Sequence, residues 1–321
     1  MTAVFRRTRN FSATVAGLVT GAAIVANQLG FGGSQVWHVW LAVVALAIGI
    51  PHGALDHLVT VPSMERVKMI RFVSLYLAVV AIVTALILIW PLWGFIGVVV
   101  MSAVHFGMGD ASFIRQHTTA SRRPSPWWVY AIPAGMVPVV IPLTREGSAD
   151  ALALVNPDLV DWHLGWGTEL FWAGVVAAVV SVVWSLWARR FRDARDITLL
   201  LLLALFVPPL VAFATYFGFW HALRHTARLT AELPSATQAI EDRETLKSLW
   251  AVTRPGLPAL MGTMAIAAVV TVATDMSFTL YLFVALALVW ALTVPHMALT
   301  WRLDREALGI GANLPRVGNS R

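Results

Sequence analysis

The sequence contains no cysteine and few charged residues. Only 12% of its 321 residues are Asp, Glu, Lys or Arg, against about a quarter in a typical soluble domain. The absence of cysteine excludes disulfide bonds, thiolate-ligated iron–sulfur clusters and cysteine nucleophiles. The scarcity of charge, together with a hydrophobic fraction of 58% and a mean hydropathy of +0.74, excludes an ordinary soluble enzyme and indicates an integral membrane protein.

Short alternating segments, which are typical of a transmembrane β-barrel, are also missing. The sequence instead has long apolar runs, many of which reach the roughly 20 residues that a helix needs to cross the hydrocarbon core. The candidate spans are 11–30, 36–60, 69–90, 93–114, 127–143, 168–188, 197–231, 257–274 and 278–301. We therefore predict an all-α, polytopic transmembrane helix bundle in the cell membrane, with residues 1–321 forming one integral membrane domain.

The net charge of +6 is unevenly distributed among the connecting segments. Basic residues concentrate before the first span and in the segments 61–71, 115–126 and 189–196, whereas the segment 144–169 holds five carboxylates and one arginine. Positive segments face the cytoplasm in most membrane proteins. We therefore predict a cytoplasmic N-terminus, residues 1–10. Anionic lipid on that face accounts for the basic character, and we predict no nucleic-acid partner.

The run 197–231 is too long for one span and contains Pro208-Pro209, through which a helix cannot continue unbroken. A single crossing would also place the charged segment 232–256 and the basic tail, residues 302–321, outside. We therefore predict that the chain breaks near Pro208 and forms two passes, or one pass and a re-entrant piece. This gives about 8–10 membrane segments and a cytoplasmic tail, and the segment 232–256 is predicted to be an interfacial helix.

Histidines recur inside the predicted spans, where ionisable side chains are costly and usually face the bundle interior. His221 and His225 are four residues apart, so both imidazoles project from one helix face. This spacing fits a metal-chelating pair, and it also fits two hydrogen-bonding residues that bridge helices. The predicted reversal places this pair level with His52 and His105. Four imidazoles from three helices then converge as candidate metal ligands.

The composition of this predicted site favours iron. Ligands without a thiolate disfavour Cu(I), and four histidines would close a tetrahedral zinc site. An octahedral Fe(II) ion would keep two positions open for dioxygen. A substrate that reaches a site between helices must be lipid-soluble, and the aromatic stretch from Phe217 to Trp220 is predicted to line a channel for a conjugated chain. Asp56 lies four residues after His52 and is placed to orient that imidazole.

Four motifs, in this order and spacing, resemble the Brp/Blh family of bacterial and archaeal β-carotene 15,15′-dioxygenases. They are "GIPHGALDH", "SAVHFGMGD", "FWHALRH" and "PHMALTWRLD", and they extend from Gly49 to Asp304. The resemblance implies a multi-pass membrane enzyme that uses non-haem Fe(II) and O₂. Its substrate would be β-carotene or a related carotenoid, cleaved at the central double bond into two all-trans-retinal molecules. A retinal-binding rhodopsin would be the partner that receives the product.

The resemblance also assigns roles to single residues. It implies that His52, His105, His221 and His225 are the iron ligands. No catalytic residue is required beyond these ligands. Supporting or pocket roles are predicted for Asp56, His57, Asp110, His296, Trp220 and Phe217. This chain departs from the family pattern after His105, since Met108 and Gly109 stand before Asp110 where an acidic residue is expected earlier.

Three other classes of membrane protein share parts of this pattern. A di-iron desaturase or hydroxylase uses histidine boxes, but this chain has no HxxHH box. A b-type haem electron carrier holds its haem with histidines from facing helices. A proton-coupled transporter would instead place its histidines along a pathway. The ratio of metal to protein and the visible absorbance spectrum distinguish these classes.

Overall fold

The computed structural model describes residues 2–30, 36–53, 55, 65–117, 125–273 and 277–310. Within these residues the regular structure is helical, with no β-strand, so the all-α prediction is confirmed. The helices are α1 (Thr2–Gln28), α2 (Val36–Gly53), α3 (Arg66–Ile89), α4 (Pro91–His117), α5 (Trp127–Leu143), α6 (Glu146–Val155), α7 (Gly167–Trp187), α8 (Phe191–Phe206), α9 (Pro209–Ala214), α10 (Ala222–Glu232), α11 (Thr237–Glu241), α12 (Thr245–Thr253), α13 (Leu257–Ala273) and α14 (Phe278–Leu308). A π-helix, Thr215–His221, joins α9 to α10, and 3₁₀ turns cover Pro157–Leu159, Pro234–Ala236 and Arg254–Gly256.

Five of the described helices are long and apolar enough to cross a membrane, namely α1, α3, α4, α7 and α14. The pair α5 and α6 passes the same test only when it is joined, and the two helices meet at 77°. Helix α3 exposes large apolar side chains such as Leu75, Ile82 and Ile89, as expected for contact with lipid. The membrane character of the bundle is confirmed. The further crossings and the cytoplasmic position of the N-terminus stay predictions.

The chain breaks and reverses at Pro208, as predicted. Helix α8 ends at Phe206, Val207 has an extended backbone (φ −92°, ψ 143°), and α9 begins at Pro209. The residue before a proline is disfavoured in the α conformation, which explains the break. Arg224 of α10 donates a hydrogen bond to Asp196, in the second turn of α8, over 3.1 Å. The limb from α9 to α10 therefore runs back alongside α8.

Two expectations about the connecting segments met different outcomes. The segment 232–256 is helical as predicted, but it forms two short helices, α11 and α12, with 3₁₀ turns. The segment 189–196 was predicted to be a turn, whereas α8 already begins at Phe191. Its acidic residues Asp193 and Asp196 are buried. Ion pairs with arginines of α1 and α10 permit this burial.

Helix α4 lies at the centre of the bundle and packs against α3, α5 and α14, and also touches α1 and α10. Its crossing with α5 is very close. A Cβ atom added to Gly107 would collide with the carbonyl oxygen of Ala131, and one added to Gly135 would collide with that of Ala103. Small residues allow helix backbones to approach in this way inside a membrane. The two glycines therefore fix the distance between α4 and α5.

We expect Gly135→Ala to destabilise the protein by about 1–3 kcal/mol, because the added methyl group forces two backbones apart. Thermal unfolding in detergent, followed by tryptophan fluorescence, measures this loss. The matched control is Gly97→Ala on α4, where an added Cβ meets nothing within 4 Å. Equal melting temperatures for the two variants would show that this helix crossing does not depend on glycine.

Candidate metal centre

Four imidazoles meet between α4, α10 and α14. His105 comes from α4, His221 from the end of the π-helix, His225 from α10 and His296 from α14. The ring centre of His105 lies 5.0 Å from that of His221, 6.4 Å from that of His225 and 5.3 Å from that of His296. The ring centres of His225 and His296 are 5.4 Å apart. All four residues are buried, so the structure brings together residues that are up to 191 positions apart in sequence.

The π-helix determines how His221 reaches this cluster. A π-helix is a rare local widening that often occurs at functional sites. Across it, rings at every fourth residue form a row of nearly parallel planes: Phe213 and Phe217 (5.6 Å, 12°), Phe217 and His221 (6.0 Å, 23°), and His221 and His225 (6.2 Å, 24°). We call this row the aromatic ladder. Its two phenylalanines are half-buried and its two histidines are buried.

The last turn of α2, which contains His52, lies against the same cluster. A Cβ atom added to Gly53 would lie 3.7 Å from Cγ and Nδ1 of His296. The backbone next to His52 is therefore at the site. The side chain of His52 is outside the part of the chain that the structure describes, and so are Asp56 and His57. Their predicted roles stay predictions.

Some of the ring separations match those of imidazoles on a shared metal ion. An imidazole nitrogen binds a metal at about 2.0–2.1 Å, so that two rings on a tetrahedral ion have centres about 5.3 Å apart. The separations of 5.0, 5.3 and 5.4 Å agree with this value. The ring of His225 lies farther away, 6.4 Å from that of His105 and 6.2 Å from that of His221. Within the described residues no group of three or more His, Asp or Glu side chains is already arranged to hold an ion. The rings would therefore have to move closer together to share one ion.

A buried ionic network packs behind the histidine pair. Arg224, which lies between His221 and His225 in sequence, donates hydrogen bonds to Asp110 of α4 (2.8 Å) and Asp196 of α8 (3.1 Å). It also donates to Ser12 of α1 over 3.0 Å. Arg224 is 2% exposed, and both carboxylates are buried. One guanidinium therefore joins α10 to three other helices.

Asp110 and Trp220, both predicted as supporting or pocket residues, belong to this network. Asp110 accepts hydrogen bonds from Tyr130 (2.9 Å) and from the indole N–H of Trp220 (3.1 Å). The guanidinium of Arg224 lies 3.7 Å from the centre of a Trp220 ring, a cation–π arrangement. Asp110 thus supports the helix that carries the histidine pair. Trp220 packs behind that pair and outside the aromatic ladder.

The same network contains residues that the sequence reasoning missed. Arg9 of α1 donates hydrogen bonds to Asp193 over 2.6 Å and to Asp196 over 2.8 Å. The arginines were interpreted only as signals of membrane orientation. The sequence did contain one sign of a buried network, which is Arg224 inside the motif "HALRH". A charged residue between two buried histidines requires a buried partner.

A known protein family covers the part of the chain that contains this cluster. The family model for beta-carotene 15,15′-dioxygenase matches residues 43–304, which include every histidine of the cluster and His52. The chain belongs to the β-carotene 15,15′-dioxygenase family. Its members are oxygenase enzymes that cleave carotenoids, and the resemblance inferred from the four sequence motifs is confirmed.

Two relatives carry the family name. The chain is 29% identical to the beta-carotene 15,15′-dioxygenase of the uncultured marine bacterium 66A03 over 194 residues, which cover 58% of this chain and 67% of that protein. It is 27% identical to the probable beta-carotene 15,15′-dioxygenase Blh of Halobacterium salinarum over 295 residues, which cover 83% of this chain and 84% of that protein. No solved structure matches the chain.

We expect Arg224→Gln to destabilise the protein by about 3–5 kcal/mol, because the substitution leaves the buried carboxylate of Asp110 without its ion-pair partner and removes one of the partners of Asp196. Thermal unfolding in detergent measures the change. Arg302→Gln is the matched control. Arg302 also forms an ion pair, with Glu306 of the same helix, but the two side chains are 85% and 66% exposed. Its melting temperature should stay close to that of the unmodified protein. Comparable losses in both variants would refute the special role of the buried network.

Proposed function

We propose that this protein cleaves the central 15,15′ double bond of β-carotene, or of a closely related carotenoid, with O₂ at a non-haem Fe(II) centre. One carotenoid and one O₂ molecule would give two molecules of all-trans-retinal, and each aldehyde would receive one oxygen atom. The observation that carries this proposal is the convergence of buried imidazoles from separate helices inside an apolar bundle. The family membership of the chain supports the choice of reaction.

The ligands in this proposal are His52, His105, His221 and His225. When bound, Fe(II) supplies the activation of dioxygen that a protein side chain alone does not provide. All four proposed ligands are imidazoles, which bind a metal as neutral donors. His296 lies as near to His105 and His225 as a ligand would, so it belongs to the wall of the same site.

The substrate would lie along the aromatic ladder. Phe213 and Phe217 present parallel ring faces to one side of His221, and Phe106 packs 4.3 Å from the His221 ring. Flat rings offer large apolar contact to a flat conjugated chain. Phe217 can occupy its position because Gly49 of α2 has no side chain, since a Cβ there would collide with the phenyl ring. These contacts would hold the polyene and exclude water.

The proposed reaction requires few other functional groups from the protein. Cleavage of a carbon–carbon double bond by O₂ involves no obligatory proton transfer, which agrees with a site that is built from neutral rings. The protein's task is to place the correct bond at the metal. We further propose that the enzyme lies in the cell membrane, takes its substrate from the lipid bilayer, and passes retinal to a rhodopsin.

We expect His221→Ala to abolish both iron retention and retinal formation. The variant and the unmodified protein are expressed in a bacterium that accumulates β-carotene, retinal is quantified by chromatography, and iron is measured in the purified proteins. His163→Ala is the control, because His163 lies in the connection before α7 and contacts the backbone of Gly165 there. It should retain both properties.

The same preparations distinguish the alternative classes. One iron per chain supports the proposal, and two would indicate a di-iron enzyme. A strong Soret band would indicate haem, and unbleached carotenoid with an iron-free protein would refute the proposed reaction. Full activity in His221→Ala would remove His221 from the ligand set.

A further inference from the structure

A hydroxyl group of α14 contacts the imidazole of His105. Oγ1 of Thr300 lies 3.2 Å from Nδ1 of His105. The same oxygen lies 3.0 Å from the carbonyl oxygen of His296 and 3.2 Å from that of Met297. Thr300 is 3% exposed, so water does not compete for these contacts.

The hydroxyl of Thr300 has a single hydrogen, and its two contacts with carbonyl oxygens, which can only accept, favour donation within α14. The hydroxyl oxygen then accepts from the Nδ1–H group of His105. A neutral imidazole has one N–H group, and Nε2 of His105 therefore carries the lone pair. Metal ions bind the nitrogen that carries the lone pair.

We infer that Thr300 is a positioning residue that fixes the tautomer and ring orientation of His105 for metal binding. This inference rests on the proposed metal centre. His221 and His225 share one helix and constrain each other, whereas His105 has no second histidine on α4. Its position must therefore be set from another helix. Asp110 is held by Arg224, Tyr130 and Trp220. The contact to the His105 ring is made by Thr300 instead.

The test compares variants that remove the hydroxyl with one that retains it. We expect Thr300→Ala and Thr300→Val to weaken metal binding about 10–100-fold, the usual effect of removing a hydrogen-bond partner of a ligating histidine. Thr300→Ser retains the hydroxyl and should bind like the unmodified protein. The matched control is Thr293→Val on the same helix, whose hydroxyl donates to the carbonyl oxygen of Trp290 over 2.6 Å.

The probe is Co(II), added to each purified metal-free protein in detergent. Its visible ligand-field bands report both affinity and the geometry of the ligands, and melting temperatures report folding. The inference predicts weak binding and altered bands for Thr300→Ala, with a melting temperature close to that of Thr300→Ser.

Each result leads to a distinct conclusion. Normal Co(II) affinity and bands in Thr300→Ala, with Co(II) bound to the unmodified protein, would overturn the inference and leave the metal centre intact. Failure of the unmodified protein to bind either Co(II) or Fe(II) would overturn the metal centre and the inference together. If Thr300→Ser loses binding as Thr300→Ala does, the hydroxyl is not the cause and the inference is wrong.

Discussion

The arrangement of the site depends on the guanidinium of Arg224 and the two carboxylates that it joins. Inside a membrane a charged side chain is tolerated only where partners surround it, so a buried ion pair between helices strongly restricts their relative positions. Asp110 and His105 lie on the same helix, five residues apart, and Arg224 lies between His221 and His225. The pairing of Arg224 with Asp110 therefore sets the distance across which His105 meets the histidine pair.

The reversal at Pro208 makes this pairing possible. Without the break, the chain after α8 would carry the histidines away from the level at which α8 begins. With it, the limb from α9 to α10 returns alongside α8, and Arg224 reaches Asp196. The reversal was predictable because proline acts through the backbone alone and membrane charge rules limit the number of crossings. The approach of His105 to His221 and His225 followed from the same argument about depth.

Other features had no local signal in the sequence. The π-helix covers Thr215–His221, whose residues would equally suit an α-helix. The burial of Asp193 and Asp196 depends on Arg9, which is more than 180 positions away, so the sequence near these aspartates resembles an ordinary charged turn. The histidine pair within one helix was predictable, and so was its level with His105. The ionic contacts that hold these helices together were visible only as single unexplained polar residues.

The difference between residues paired within one helix and residues that depend on distant helices also explains how the chain builds a centre from few residues. Two histidines four apart on one helix face need only that helix to stay near each other. A histidine that is the only one on its helix must be positioned by contacts from other parts of the chain. For α4, the glycine contact with α5 sets the helix distance, and the Arg224–Asp110 pair sets its position relative to the histidine pair. Thr300 then restricts the ring of His105, and the end of α2 lies next to His296 at Gly53. These contacts restrict how far the imidazoles can separate, even though the residues that make them are spread along most of the chain.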